Sequence, residues 1–142
     1  GKGWPVSSED DDNYRRSIYV HVKRSLRHQM LADFDQADTD APCAVRFATT
    51  VPTQALTMLN SKFVNENAVR FADRLRERGG SLDDQIAYGL SLVLQRNADA
   101  GEIEELVGLY NDLKTEANLS DRDALDRVAL LALNLNEFVY LD

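Results

Sequence analysis

Five cations crowd the early part of the chain: Arg15, Arg16, Lys23, Arg24 and Arg27 lie within residues 14–28, a stretch that holds no acid. Guanidinium groups grip phosphates and carboxylates through paired N–H donors, so the chemistry this cluster offers is anion binding. On a helix, Arg16, Lys23 and Arg27 project within about 40° of one another, taking 100° per residue. Tyr14 and Tyr19 are the only aromatics among them, too few for the base-stacking platform of a nucleic-acid binder. Arg46 adds a further guanidinium. Arg15, Arg16, Tyr19, Lys23, Arg24 and Arg46 are therefore the candidate ligand-binding set, suited to a phosphate, a carboxylated polymer or an acidic protein surface. A plainer reading outweighs it. The chain carries a net charge of −8, and Asp33, Asp35, Asp38 and the acids of the later helices can pair with these cations.

The remaining reactive side chains are sparse. Asp33, Asp35, Asp38 and Asp40 are spaced closely enough to suggest calcium ligands, but no Gly at the sixth position or Glu at the twelfth completes an EF-hand loop. They read first as solvated loop acids. His21 and His28 share a helix face at a spacing of seven, yet zinc needs further Cys or His ligands. Cys43 is the only cysteine, which excludes an internal disulfide and a Cys-x-x-Cys-His haem attachment. A Cys43–His pair is the one nucleophile and base combination available, with no Gly-rich loop or nucleophile elbow beside it; a buried inert thiol is the simpler account. Met30 and Met58 read as core fillers rather than metal ligands. No catalytic residue, metal or cofactor is expected.

These residues need elements to hold them. Residues 1–12, with Trp4-Pro5 and an acidic run, read as an irregular arm. Asp11, Asp12 or Asn13 can cap a helix to about Arg27, with Tyr14, Ile18, Val22 and Leu26 on its apolar face. Ile18, Val20 and Val22 also alternate at the strand period, so a strand competes with that helix. His28 to Phe34 is a short helical segment, and Asp35 to Pro42 a loop. Residues 43–51 are extended or irregular. From Pro52 onward helical signals dominate: a short helix through Leu59, then helices capped by Ser61, Ser81, Asp99 and Ser120. The second of these carries Val64, Ala68, Phe71, Ala72 and Leu75 on one face and ends at Gly79-Gly80. Residues 124–135 are apolar nearly all round, which predicts a helix at the centre of the core. On that reading Leu131→Ala costs ~2–5 kcal/mol. The linkers at 79–81, 96–99 and 117–120 are short enough to make successive helices antiparallel neighbours.

One family is similar to this chain. Arg15-Arg16-Ser17-Ile18-Tyr19-Val20 and Lys23-Arg24-Ser25-Leu26 open the likeness. Phe34-Asp35, Cys43, Arg46, Thr49-Thr50-Val51-Pro52-Thr53-Gln54-Ala55-Leu56, Leu59-Asn60, Phe63-Val64, Leu94-Gln95-Arg96 and Leu133-Asn134-Leu135-Asn136-Glu137-Phe138 continue it. Together they resemble the C-terminal part of the planctomycete-specific domain of unknown function found in large proteins with a planctomycete-type cytochrome c domain. The chain departs from that pattern at Asn97-Ala98, where the family has Pro, and at His21. The resemblance implies a periplasmic or secreted location, with a signal sequence and haem-bearing part upstream of Gly1. It supplies no reaction.

The sequence thus predicts an all-α fold, a small irregular bundle of about five to six helices. Residues 1–50 would form the arm, basic helix and acidic loop, and residues 51–142 the bundle. The expected role is a non-catalytic structural or protein-interaction module. Its partners would be the upstream part of the same polypeptide and another protein, with no nucleic acid and no membrane insertion. The rival is an anionic-ligand site of an extracytoplasmic enzyme, built from Arg15, Arg16 and Arg46 with upstream residues.

Overall fold

The computed structural model describes residue 18, residues 29–36 and residues 52–140. The chain divides into two compact units, Gly1–Thr49 and Thr50–Asp142. In the first unit, Ile18 sits in a 3₁₀ turn and is 81% exposed, not on the buried face expected of it. The short helix α1 spans Gln29–Asp33, as the sequence predicts. The arm at 1–12, the rest of the basic helix or strand, the loop from residue 37 to Pro42 and residues 43–51 lie outside the described residues.

The second unit is an all-α bundle: α2 (Pro52–Asn60), α3 (Lys62–Arg78), α4 (Leu82–Leu94), α5 (Ala100–Thr115), α6 (Asp121–Ala132) and α7 (Asn136–Val139). No strand occurs among the described residues. Each long helix starts where a polar side chain can satisfy an orphan N–H. The Ser61 hydroxyl accepts from the Val64 N–H, and Ser120 accepts from Asp123. Ser81 with Asp84 and Asp99 with Glu102 form reciprocal capping boxes. At the other end of α3, Gly79 (φ 71°) and Gly80 (φ 91°) turn the chain through left-handed conformations that cost glycine little.

Two packed clusters share α6. Ala72 and Leu75 of α3 meet Leu125 and Ala129. Ile86 and Leu90 of α4 meet Leu106 of α5 and Val128. The most extensive pairing is α3 with α6, although the two are far apart in sequence. Central placement of α6 therefore holds, but its all-round burial does not. The helix ends at Ala132, with Leu133 as its C-cap, and Leu131 is 39% exposed. Leu131 lies one turn after the exposed Arg127 on the same row, so it faces away from the α3 and α4 contacts. The expected core penalty for Leu131→Ala is corrected accordingly. The final helix α7 is a separate element that the sequence pattern does not mark; Leu135 breaks the apolar run by taking an extended conformation (φ −63°, ψ 140°).

Candidate functional site

Arg15, Arg16, Tyr19, Lys23, Arg24 and Arg46, the ligand-binding set suggested by the sequence, lie outside the described residues. So do His21, His28, Asp38, Asp40 and Cys43. Asp33 closes α1, and Asp35 follows it at φ 58°. No group of three metal-ligating side chains gathers among the described residues.

The structure draws attention to a place the residue types alone do not mark. A cleft of about 280 Å³ is lined by Pro52, Gln54, Ala55 and Met58 of α2 and by Asn134, Asn136, Val139 and Tyr140 of the C-terminal tail. Pro52 opens α2 at the position where its missing N–H is harmless. Gln54 and Met58 then fall one turn apart on the same side. Met58 is half-buried against this cleft rather than a filler of the core. Gln54 is the only buried polar residue among those described, at 1% exposure. Its Oε1 accepts from the Tyr140 hydroxyl at 2.7 Å. On the opposite wall Asn134 donates through Nδ2 to the Leu130 carbonyl at 2.7 Å. The Tyr140 N–H donates to the Asn136 carbonyl at 2.8 Å. These bonds hold the tail as an ordered arm. The described lining has amides and one phenol but no carboxylate, imidazole or amine. It can hold a polar group by hydrogen bonds; it offers no base or nucleophile near neutral pH.

A second constellation stands beside it, since Asn136 also borders the groove between Leu90, Leu94, Leu106 and Leu135. Arg96, in the α4–α5 linker, ties two carboxylates together. Nη1 donates to Glu102 Oε2 at 2.9 Å, while Nε and Nη2 reach Glu137 Oε2 and Oε1 at 3.2 and 3.1 Å. Glu102 Oε2 also accepts from the Asp99 N–H at 2.8 Å, closing its capping box. The Arg96 hydrogen bonds, followed by the Asp99 amide, push the Glu102 carboxyl down to about 2. Glu102 and then Glu137 hold the Arg96 guanidinium above its ordinary range. The guanidinium therefore stays charged at any ordinary pH, and this is a clamp joining the start of α5 to α7. The sequence shows Arg96 only as part of the Leu94-Gln95-Arg96 likeness and Glu102 only as a first-turn acid. Their meeting with Glu137 is tertiary.

Other charged groups are similarly employed. Arg76 of α3 bonds Asp73, the Arg122 carbonyl and Asp126 at 2.6–2.7 Å, and Arg122 returns to Asp73. Lys114 and the Tyr110 hydroxyl both bond Asp121. The lysine contact and then the tyrosine hold the Asp121 carboxyl low, while partial burial followed by Asp121 raises Tyr110. These pairs fasten α3 and α5 to α6.

Fold and site together define a small all-α helical bundle in which several of the described ion pairs tie one helix to another. Its family follows from comparison with known sequences: the model of PSD1, a protein of unknown function (DUF1553), matches residues 2–110. The chain belongs to that family. No curated protein and no solved structure matches it significantly.

Proposed function

We propose that this chain is a non-catalytic structural or protein-interaction module of a larger periplasmic or secreted protein. The observation that carries the reading is the inverted polarity of α2. Its glutamine is inside, at 1% exposure, while Leu56 and Leu59 are 56% and 45% exposed. Leu56 lies about 200° round the helix from Gln54, on the far side from the cleft. Phe63, in the first turn of α3, is 43% exposed. A helix normally buries its apolar side chains and leaves amides in water. Here both sides of α2 are specialised, one for the tail and one for a surface that apolar contact would cover. The employment of Arg76, Arg96, Arg122 and Lys114 in helix-to-helix clamps supports the same reading, because those cations are committed to architecture. The extracytoplasmic location rests on the family likeness carried by the Arg15–Val20 and Thr49–Leu56 stretches.

A photo-crosslinking residue at position 59 of the full-length protein tests this. Crosslinks to upstream residues of the same polypeptide or to a second protein are the expected result. Reaction with water alone would overturn the interaction reading, as would substrate turnover by the full-length protein that Arg16→Ala abolishes without loss of stability.

A further inference from the structure

We propose that Arg74, Arg78 and Tyr88 form a binding site for a tetrahedral oxyanion, sulfate or phosphate, free or as an ester. The guanidinium carbons of Arg74 and Arg78 lie 5.9 and 5.6 Å from the centroid of the Tyr88 ring. Arg74 Nη2 also donates to the Tyr88 hydroxyl at 3.2 Å. One ring from α4 thus anchors two arginines that stand one turn apart on α3. Cation–π contact orders the two guanidinium planes while leaving their N–H edges available. Tyr88 spends its oxygen as acceptor for Arg74, so its own O–H remains to donate. Three donor groups gathered on one ring suit an anion with several oxygens.

Electrostatics points the same way. Arg76, Arg96 and Arg122 are each bonded to carboxylates. Arg74 and Arg78 form no ion pair with a carboxylate among the described residues; both instead lie against the Tyr88 ring. Like charges at this helical spacing repel, and an anion held between them removes the repulsion. The acid nearest in effect is Asp84, whose Oδ2 accepts from the Ser81 N–H and hydroxyl at 3.0 and 2.7 Å, which anchors that carboxylate to the start of α4. The net charge of −8 opposes long polyanions, so single sulfate or phosphate groups are the class this site accepts. The pair lies apart from the Gln54 cleft and does not depend on the interaction reading.

The test is a titration of the whole chain followed by arginine Nε–H NMR at constant ionic strength. Its arms are sodium sulfate, sodium phosphate, a mono-sulfated sugar, the unsulfated sugar and sodium chloride. Saturable shifts at Arg74 and Arg78 with the tetrahedral anions, absent with chloride and the plain sugar, are expected. The sugar sulfate arm separates ester recognition from free-ion binding. Arg74→Gln with Arg78→Gln should weaken binding by about tenfold or more, and Tyr88→Phe by a smaller factor, whereas Arg127→Gln, an exposed arginine on α6, leaves it unchanged. Shifts that rise linearly, that chloride reproduces, or that Arg127→Gln diminishes equally would overturn the site.

Discussion

Single side chains in this bundle are tuned by the partners the fold brings them. Glu102 shows this best. With its carboxyl held at about 2 against an ordinary 4.5, the folded state binds fewer protons than the unfolded state across that interval. The stabilisation is therefore complete above an ordinary carboxyl pKa of 4.5 and is lost as pH falls towards 2. Arg96→Met removes the largest cause of the shift, so Glu102 should titrate nearer its ordinary value in the variant. Side-chain carboxyl NMR reads this directly, and an unmoved Glu102 midpoint would deny the clamp. At the other wall of the cleft, Tyr140→Phe deletes one hydroxyl and one partner of the buried Gln54. A loss of ~1 kcal/mol in denaturant melting is expected, with faster amide exchange over residues 136–140. Unchanged exchange there would mean that the tail is held by something other than this bond.

Among the helices, close approach and exposure decide which substitutions matter. Gly89 of α4 is buried against α3: a Cβ there would sit 3.0 Å from Leu75 Cδ1 and 3.3 Å from its Cδ2. Gly108 of α5 has nothing within 4 Å of the same position. Gly89→Val should thus cost ~1–3 kcal/mol through overpacking, while Gly108→Ala should stabilise by ~0.5–1 kcal/mol by removing a glycine from a helix interior. Denaturant midpoints at unchanged m-value separate the two. In α6, Leu125 is 3% exposed and Leu131 is 39% exposed. Leu125→Ala should cost ~2–5 kcal/mol, and Leu131→Ala about 1 kcal/mol or less. Equal losses would restore Leu131 to the core.

That pair of leucines also marks what the sequence could reveal about the elements. Capping is local chemistry, so Ser61, Ser81, Asp99 and Ser120 disclose four helix starts without any tertiary knowledge. The row Val64, Ala68, Phe71, Ala72 and Leu75 announces its buried side through periodicity; four of the five are buried, and Phe71 is partly buried against the same cluster. Composition misleads at 124–135, because a run of apolar residues does not say which way each one points. The Gln54 cleft is legible only in hindsight. Glutamine and asparagine carry no special spacing there, and the contact between Gln54 and Tyr140 spans 86 residues.

For the whole molecule, the buried apolar side chains of the described residues run from Val64 to Ala132, all inside the unit that begins at Thr50. Residues 50–142 expressed alone should therefore melt in one cooperative transition. Non-coincident transitions by circular dichroism and tyrosine fluorescence would show that this unit is not a self-sufficient core.

The pairing of α3 with α6 has a consequence for how the protein is made. Leu75 leaves the ribosome about fifty residues before Leu125, its partner across the core, and domains acquire their packing only as such pieces arrive. During that delay α3 and α4 can meet around Gly89, but the Ala72 side of α3 has no α6 to lie on. A message truncated after Thr115 would release a stub with that side bare, the kind of nascent product that holdase chaperones bind and proteases clear.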